Sequence, residues 1–474
     1  MQDLQSYLAR LEAEHPGWIV RVKERVDPNA FEVSGLLHLL DRRGENRAVV
    51  FENVVDFEGR PSPFPLVYNL FVTRPLCAVA MGMPPERHRM ELSAEFARRQ
   101  GAGPGAVEVV EPSKAPCREV VLRGAEADVR RLPVAMHHWR DAGAYFTMTC
   151  AMKALSGDFY DVTFTKNMIK GPRRMSFSAH PHHHLEAITG EYEAQGRRAP
   201  VIVVLGHHPA FYLASCAMSP YGTDDYAAIS GFLQAPLRLT PSETWGDAFL
   251  VPADAEVVIE GEIPPGVRES QNPYGEIAGY YQEEMQMPVV EVTAITHRRG
   301  ALVQGVFPGR QDHWNLGGIP KEGSVFNAIR RNIPGVRAVH LPPSGNGRFI
   351  CYISIAKEFD NEPRKAAMTA FVEMPNLKFC VVVDHDVDVF DEREALWAMA
   401  TRTWWDQDFE VIRQVQSFRG WLGSAVGIVD ATRPHNRPFP HRNDLPPDVL
   451  ARLDLDRYFP GLSSPSPRWG RGRG

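Results

Sequence analysis

Apolar residues recur at helical spacing from the start of the chain, at Leu4, Tyr7, Leu8 and Leu11, which predicts an opening amphipathic helix. The apolar segment from Phe31 to Leu40 leads into a second helix, and Ala48 to Phe51 reads as a buried strand. Residues 86–99 are charged and helical in pattern, and the run from Gly101 to Gly105 reads as a linker. We place the end of an N-terminal α/β domain there, at residues 1–105. From 106 to 310 short β-branched runs alternate with turn clusters, among them Tyr145 to Thr149, Tyr160 to Thr165, Pro200 to Leu205, Val257 to Ile259 and Val289 to Thr293. Many short strands at this spacing predict a β-barrel or sandwich, with helical inserts near 184–196 and 223–234. After Gly309 the pattern returns to α/β, with helices expected at 321–332, 363–372 and 392–403 and a buried strand at Phe379 to Asp384. The C-terminal α/β domain is set at 311–462. Residues 463–474 are low in complexity and are expected to be disordered. The class is α+β.

Composition narrows the function. The net charge of −6 over 474 residues and a pI of about 6.3 argue against a nucleic-acid-binding surface spread over the chain. The six cysteines are scattered without a C-x-x-C pair, which points to neither a disulfide framework nor a zinc site and fits a reducing compartment. Neither a basic-then-apolar leader nor a membrane-length apolar run is visible, so the expectation is a cytoplasmic protein without a membrane partner.

Candidate chemistry gathers at four places. In Arg268 to Tyr281, Asn272-Pro273 and Gly275 force a turn, and Glu276 lies just past it. A rigid corner holds a carboxylate still, as an acid/base group requires, although such turns are also common on plain surfaces. Asn167 ends the strand Thr163 to Asn167; it can offer an amide oxygen to a hard cation or simply shape a turn. The run His180-Pro-His182-His183-His184 suggests metal binding, but it is too short to wrap one ion, so one ligand is expected. His184 is favoured by its spacing to the next strand, with His182 next. Glu243, in Leu239 to Trp245, reads alone as a loop carboxylate. An amide oxygen, an imidazole and a carboxylate together suit six-coordinate manganese or magnesium rather than structural zinc.

In order and spacing, Asn167, the histidine run, Glu243 and the Glu276 turn resemble the UbiD-like decarboxylases. Phe307-Pro-Gly-Arg310, Asp384 to Phe390 and Leu396 to Arg402 extend the likeness over roughly residues 5 to 435. The resemblance implies a central split barrel (flavin-reductase-like) binding prenylated FMN, a C-terminal oligomerisation domain, and a homodimer or homohexamer. It implies that Asn167, His184 and Glu243 bind Mn2+ or Mg2+ at the flavin phosphate. It also implies that backbone carbonyls of Ala214, Ser215 and Ala217 bind K+, and that Lys357 contacts the cofactor phosphate. Five residues after the metal-binding Asn the family has an Arg. Here Pro172 stands there, and a short insertion hands the role to Arg173 or Arg174. Glu276 aligns with the proton donor. Five residues before it the family has a second Glu, where this chain has Gln271; Glu269 is a nearby substitute. The implied reaction is reversible non-oxidative decarboxylation of an aromatic, heteroaromatic or α,β-unsaturated acid, with a flavin prenyltransferase supplying the cofactor. Trp314 is expected either in the pocket wall or in the core. Two other readings are an ordinary FMN oxidoreductase on a split barrel and, from Gln271, a non-catalytic subunit of a decarboxylase.

Overall fold

The computed structural model describes residues 3–181, 183–217, 219–415, 423–435 and 438–459. They form two compact units, residues 1–39 with 46–323, and residues 40–45 with 324–474. His182 and the 463–474 tail lie outside the described residues.

The first unit opens with α1 (Leu4–Glu14), capped by the Asp3 carboxylate accepting from Ser6 N. All four apolar residues that predict it are buried. Strand β1 (Ile19–Val26) pairs in parallel with β2 (Ala48–Val54), which pairs with β3 (Leu66–Tyr68). The late strand Val303–Gln304 completes this sheet on the far edge of β3.

The barrel follows. Its strands are β4 (Tyr145–Lys153), β5 (Tyr160–Gly171), β6 (Arg174–Ser176), β7 (Ala199–Leu205), β8 (Val257–Ile263) and β12 (Met285–His297). They close in the order β8-β7-β4-β5-β6-β12 and back to β8, every pair antiparallel. Closure leaves no edge strand to template aggregation. Among the described residues three helices interrupt the ring: α2 (His184–Ala194) and α3 (Asp225–Leu233), where helical inserts are predicted, and the short helix Pro209–Ala214 between them. Between β8 and β12 lie β9 (Arg268–Gln271), which pairs with β12, and a small hairpin, β10 (Tyr274–Gly275) with β11 (Tyr281–Gln282). The barrel expected from the short strands is therefore present, and the α+β class with it.

Buried charges tie the first unit together. Glu256 is fully buried and accepts from Gln5 Nε2 (2.9 Å), Leu302 N (3.0 Å) and Arg298 Nη1 (3.2 Å). Helix α4 (Gln311–Arg330) carries Pro320 in its interior. Its Glu322 pairs with Arg74 at 2.9 Å, with both side chains almost fully buried. Such a pair is satisfied only as a unit, because either partner alone would be an uncompensated buried charge.

In the second unit five strands stand in the order Val336–His340, Ile350–Ile355, Phe379–Asp384, Val426–Ala431, Phe409–Ile412. The central three run parallel. Helix Glu362–Glu373 packs on one face of this sheet and helix Glu392–Arg402 on the other. Among the described residues no helix is long and apolar enough to cross a membrane.

Candidate active site

Glu276 sits in the turn of the β10–β11 hairpin, where its N–H donates to Tyr280 O (2.9 Å) and its carbonyl accepts from Gly279 N (3.0 Å). The corner is rigid for reasons visible in the sequence. Asn272 has φ 83°, Gly275 N donates to Asp141 Oδ1 (2.8 Å), and a Cβ on Gly275 would come within 2.2 Å of the His138 ring. Only glycine permits that approach. From α4, Trp314 Nε1 donates to Ile277 O (3.1 Å). Trp314 is half-buried and anchors the residue after Glu276, and its stretch is helical. His137 stacks on Phe307 (ring centroids 5.5 Å) and bonds through Nε2 to Tyr68 Oη (3.0 Å). Burial pushes His137 down to about 3, so it stays neutral.

The cation beside Glu276 is Lys166, from β5. Its Nζ is ion-paired with Glu276 Oε1, and the two side chains are 16% and 6% exposed. The ammonium also lies 4.9 Å from the centre of the Tyr274 ring, whose hydroxyl bonds Thr147 Oγ1 (3.0 Å). Gln271 is buried. Its Nε2 donates to Ser178 Oγ (2.5 Å), which donates to Lys166 O (3.1 Å).

The two arginines expected in this role are elsewhere. Arg174 pairs with Glu269 (2.8 Å) and Glu291 (3.2 Å), which also removes Glu269 as a substitute for Gln271. Arg173 is exposed and bonds through its carbonyl to Val292 N. The short link between β5 and β6 turns both away from the hairpin.

The expected metal set is not brought together. Asn167 is fully buried, with Nδ2 bonded to Thr165 Oγ1 (2.9 Å) and Phe146 O (3.4 Å). Glu243 is taken by Arg118 and Arg123, and its backbone N–H donates to Glu260. His184 instead bonds through Nδ1 to Asp161 Oδ1 (2.7 Å). Asp161 Oδ2 is buried without a partner, and burial raises its pKa against the pull of His184. Asp225, at the start of α3, accepts from Val162 N (2.8 Å). Burial and the nearby Asp161 charge lift Asp225 to about 6. Asp225 and Ser219 line a small cavity with Ala214, Ser215 and Ala217, so these three do lie beside a carboxylate. Among the described residues no three His, Cys, Asp or Glu side chains form a ready metal cluster. Even so, an orphaned carboxylate oxygen, an imidazole and a second buried carboxylate suit a hard divalent ion. In the second unit, Lys357 is nearly buried and paired with Asp360 (2.8 Å).

Asp161, Lys166 and Asp225 are the residues that reading the sequence missed. One signal was available: Asp161 and Lys166 stand five apart, the separation of the family's Asn and Arg.

Comparison with known proteins covers most of the chain. Models of the 3-octaprenyl-4-hydroxybenzoate carboxy-lyase N-terminal, Rift-related and C-terminal domains match residues 10–96, 108–311 and 314–419. The gallate decarboxylase of Lactiplantibacillus plantarum is 28% identical over 416 residues, 82% of each chain. The anhydromevalonate phosphate decarboxylase of Aeropyrum pernix is 29% identical over 375 residues, 78% of this chain and 82% of that one. Among solved structures, an evolved dimeric form of the UbiD-class enzyme HmfF from Pelotomaculum thermopropionicum in complex with prFMN superposes with a TM-score of 0.86. It is 34% identical, over 96% of this chain and 99% of that one.

Proposed function

Because this chain belongs to the UbiD family of carboxy-lyases, we propose that it decarboxylates, reversibly and without oxidation, an aromatic, heteroaromatic or α,β-unsaturated carboxylic acid, with Glu276 as the proton donor and prenylated FMN as cofactor. The buried Lys166–Glu276 pair on a rigid corner carries the reading.

Losing CO2 from an sp² carbon leaves electrons that no side chain can delocalise. Prenylated FMN, when bound, supplies that electron sink. Lys166 holds the substrate carboxylate by a charge-assisted hydrogen bond. Glu276 then delivers its proton to the carbon that CO2 has left, and in carboxylation takes a proton from the same carbon. Glu276 is 6% exposed, and as a donor it must hold its proton when CO2 leaves.

Asp161, His184 and Asp225 would hold Mn2+ or Mg2+ against the cofactor phosphate, and carbonyls of Ala214, Ser215 and Ala217 would hold K+. The cavity shared by Asp225 with the carbonyl loop, and the pairing of Glu243 with Arg118 and Arg123, support this set over one built on Asn167 and Glu243, although Asn167 Oδ1 and Asp161 Oδ2 are both buried without a partner. A flavin prenyltransferase is the partner that supplies the cofactor, and a homodimer or homohexamer is the proposed assembly.

The test is CO2 release from a panel of aromatic and unsaturated acids by protein co-expressed with a flavin prenyltransferase. Glu276→Gln should lower turnover by roughly 10²–10⁴-fold, the usual share of a general acid, at unchanged cofactor content. Undiminished turnover refutes the assignment.

A further inference from the structure

Lys166 and Glu276 neutralise one another in a nearly closed place. Where the family pattern would add a second carboxylate this chain has Gln271, a neutral amide bonded to Ser178. The other polar groups around Glu276 can be named from each element packed on it. From the loop before β4, Asp141 faces the hairpin, but both its oxygens are used by backbone donors, Gly275 N and His138 N. His138 lies against Gly275. From β10 comes Tyr274, and from β5 Lys166 itself. From the start of α4, His313 Nδ1 accepts from Gly309 N (3.2 Å), and Arg310 lies over the Phe307 ring (5.6 Å).

A substrate carboxylate seated on Lys166 places a second anion beside Glu276. Two carboxylates a few ångströms apart in a dry pocket cannot both stay ionised, and one takes up a proton. We infer that substrate binding in this chain is coupled to uptake of one proton by Glu276, with Lys166 passing its ion pair from Glu276 to the substrate. This rests on the reading of Glu276 as the acid and of a carboxylate as the bound form.

The balance closes. The incoming carboxylate displaces Glu276 from Lys166, and a solvent proton converts Glu276 to its neutral acid. The bond from carbon to the carboxyl group breaks, CO2 leaves without charge, and the proton of Glu276 forms the new C–H bond. Glu276, ionised again, returns to Lys166. The sum is one carboxylate and one proton giving product and CO2. Binding thus loads the acid, and loss of CO2 resets the pair. A second glutamate in place of Gln271 would provide another site for that proton; a neutral amide leaves Glu276 as the carboxylate that receives it.

The experiment is isothermal titration calorimetry of the holoprotein in two buffers of different ionisation enthalpy. The probes are benzoate and other aromatic monocarboxylates of the panel that release no CO2, with benzamide as the uncharged control. The expected result is about one proton taken up per carboxylate bound, with affinity falling about tenfold for each pH unit above the Glu276 titration. Benzamide should take up none. Glu276→Gln should bind carboxylate without proton uptake, and Lys166→Arg should keep the uptake. Carboxylate binding by the wild type with buffer-independent heat overturns the inference. So does a panel in which no carboxylate binds more tightly than its amide. If binding is proton-free yet CO2 release still needs Glu276, only the coupling fails; if Glu276→Gln still releases CO2, the acid assignment fails first.

Discussion

Asp312, at the start of α4, is fully buried, with Oδ1 accepting from Phe71 N at 2.6 Å and Oδ2 lacking a partner. Burial lifts its pKa from 3.8 to about 7. That rise corresponds to about 4 kcal/mol between its two protonation states. The sign is set by which state sheds its proton first. Below pH 3.8 folded and unfolded chains are both protonated and the group is neutral to stability. Between 3.8 and about 7 the unfolded chain ionises first, so stability falls as pH rises; above 7 the fold carries the full penalty. Asp312→Asn keeps the oxygen that accepts from Phe71 and removes the titration. Below pH 3.8, where the carboxyl is protonated in both states, the variant should match the wild type within about 1 kcal/mol, because in both the second polar atom lacks a partner; near pH 5 it should already be the more stable by about 1.6 kcal/mol. At pH 8 it should be the more stable by up to about 4 kcal/mol. Urea unfolding of both proteins from pH 5 to 8 reads the difference directly. Parallel curves, with a constant gap at every pH, refute the reasoning.

Three further outcomes follow from the site. Gly275→Ala forces a methyl into the His138 ring, so turnover should drop at least tenfold with cofactor content retained, as kinetics and flavin absorbance would show. Metal analysis of purified holoprotein should find divalent metal reduced in Asp225→Asn and unchanged in Glu243→Gln. Glu243→Gln should instead lower thermal stability, because it weakens the bonds to Arg118 and Arg123.

What the chain revealed in advance follows periodicity. Strands at Tyr145 and Tyr160 and the helices at His184 and Asp225 announced themselves, because one element's burial pattern is local. Residues 313–318 did not, since Gly317, Gly318 and Pro320 read as breakers. In the structure they are helical, inside α4, which packs closely further along at Gly323. A Cβ on Gly323 would sit 2.3 Å from Ser93 O, and tertiary contact of this kind overrides propensity. In the candidate site, the corner that carries Glu276 was legible because its turn residues are local. Glu243 misled because the arginines that occupy it lie 120 and 125 residues earlier. Lys166 was passed over because an arginine was sought. Asp225 was hidden beside Asp224, the residue that caps the helix through Ala227 N.

Strand β5 carries Asp161 at one end and Lys166 five residues on. Successive side chains on a strand alternate faces, so these two project to opposite sides, roughly 17 Å apart along the backbone. One continuous ladder to β4 fixes both. Inserting or deleting a single residue between them would turn one side chain to the wrong face while leaving the other in place. Along this strand residue types can therefore be exchanged more readily than residues can be added or removed. Changes in length are tolerated only in the loops.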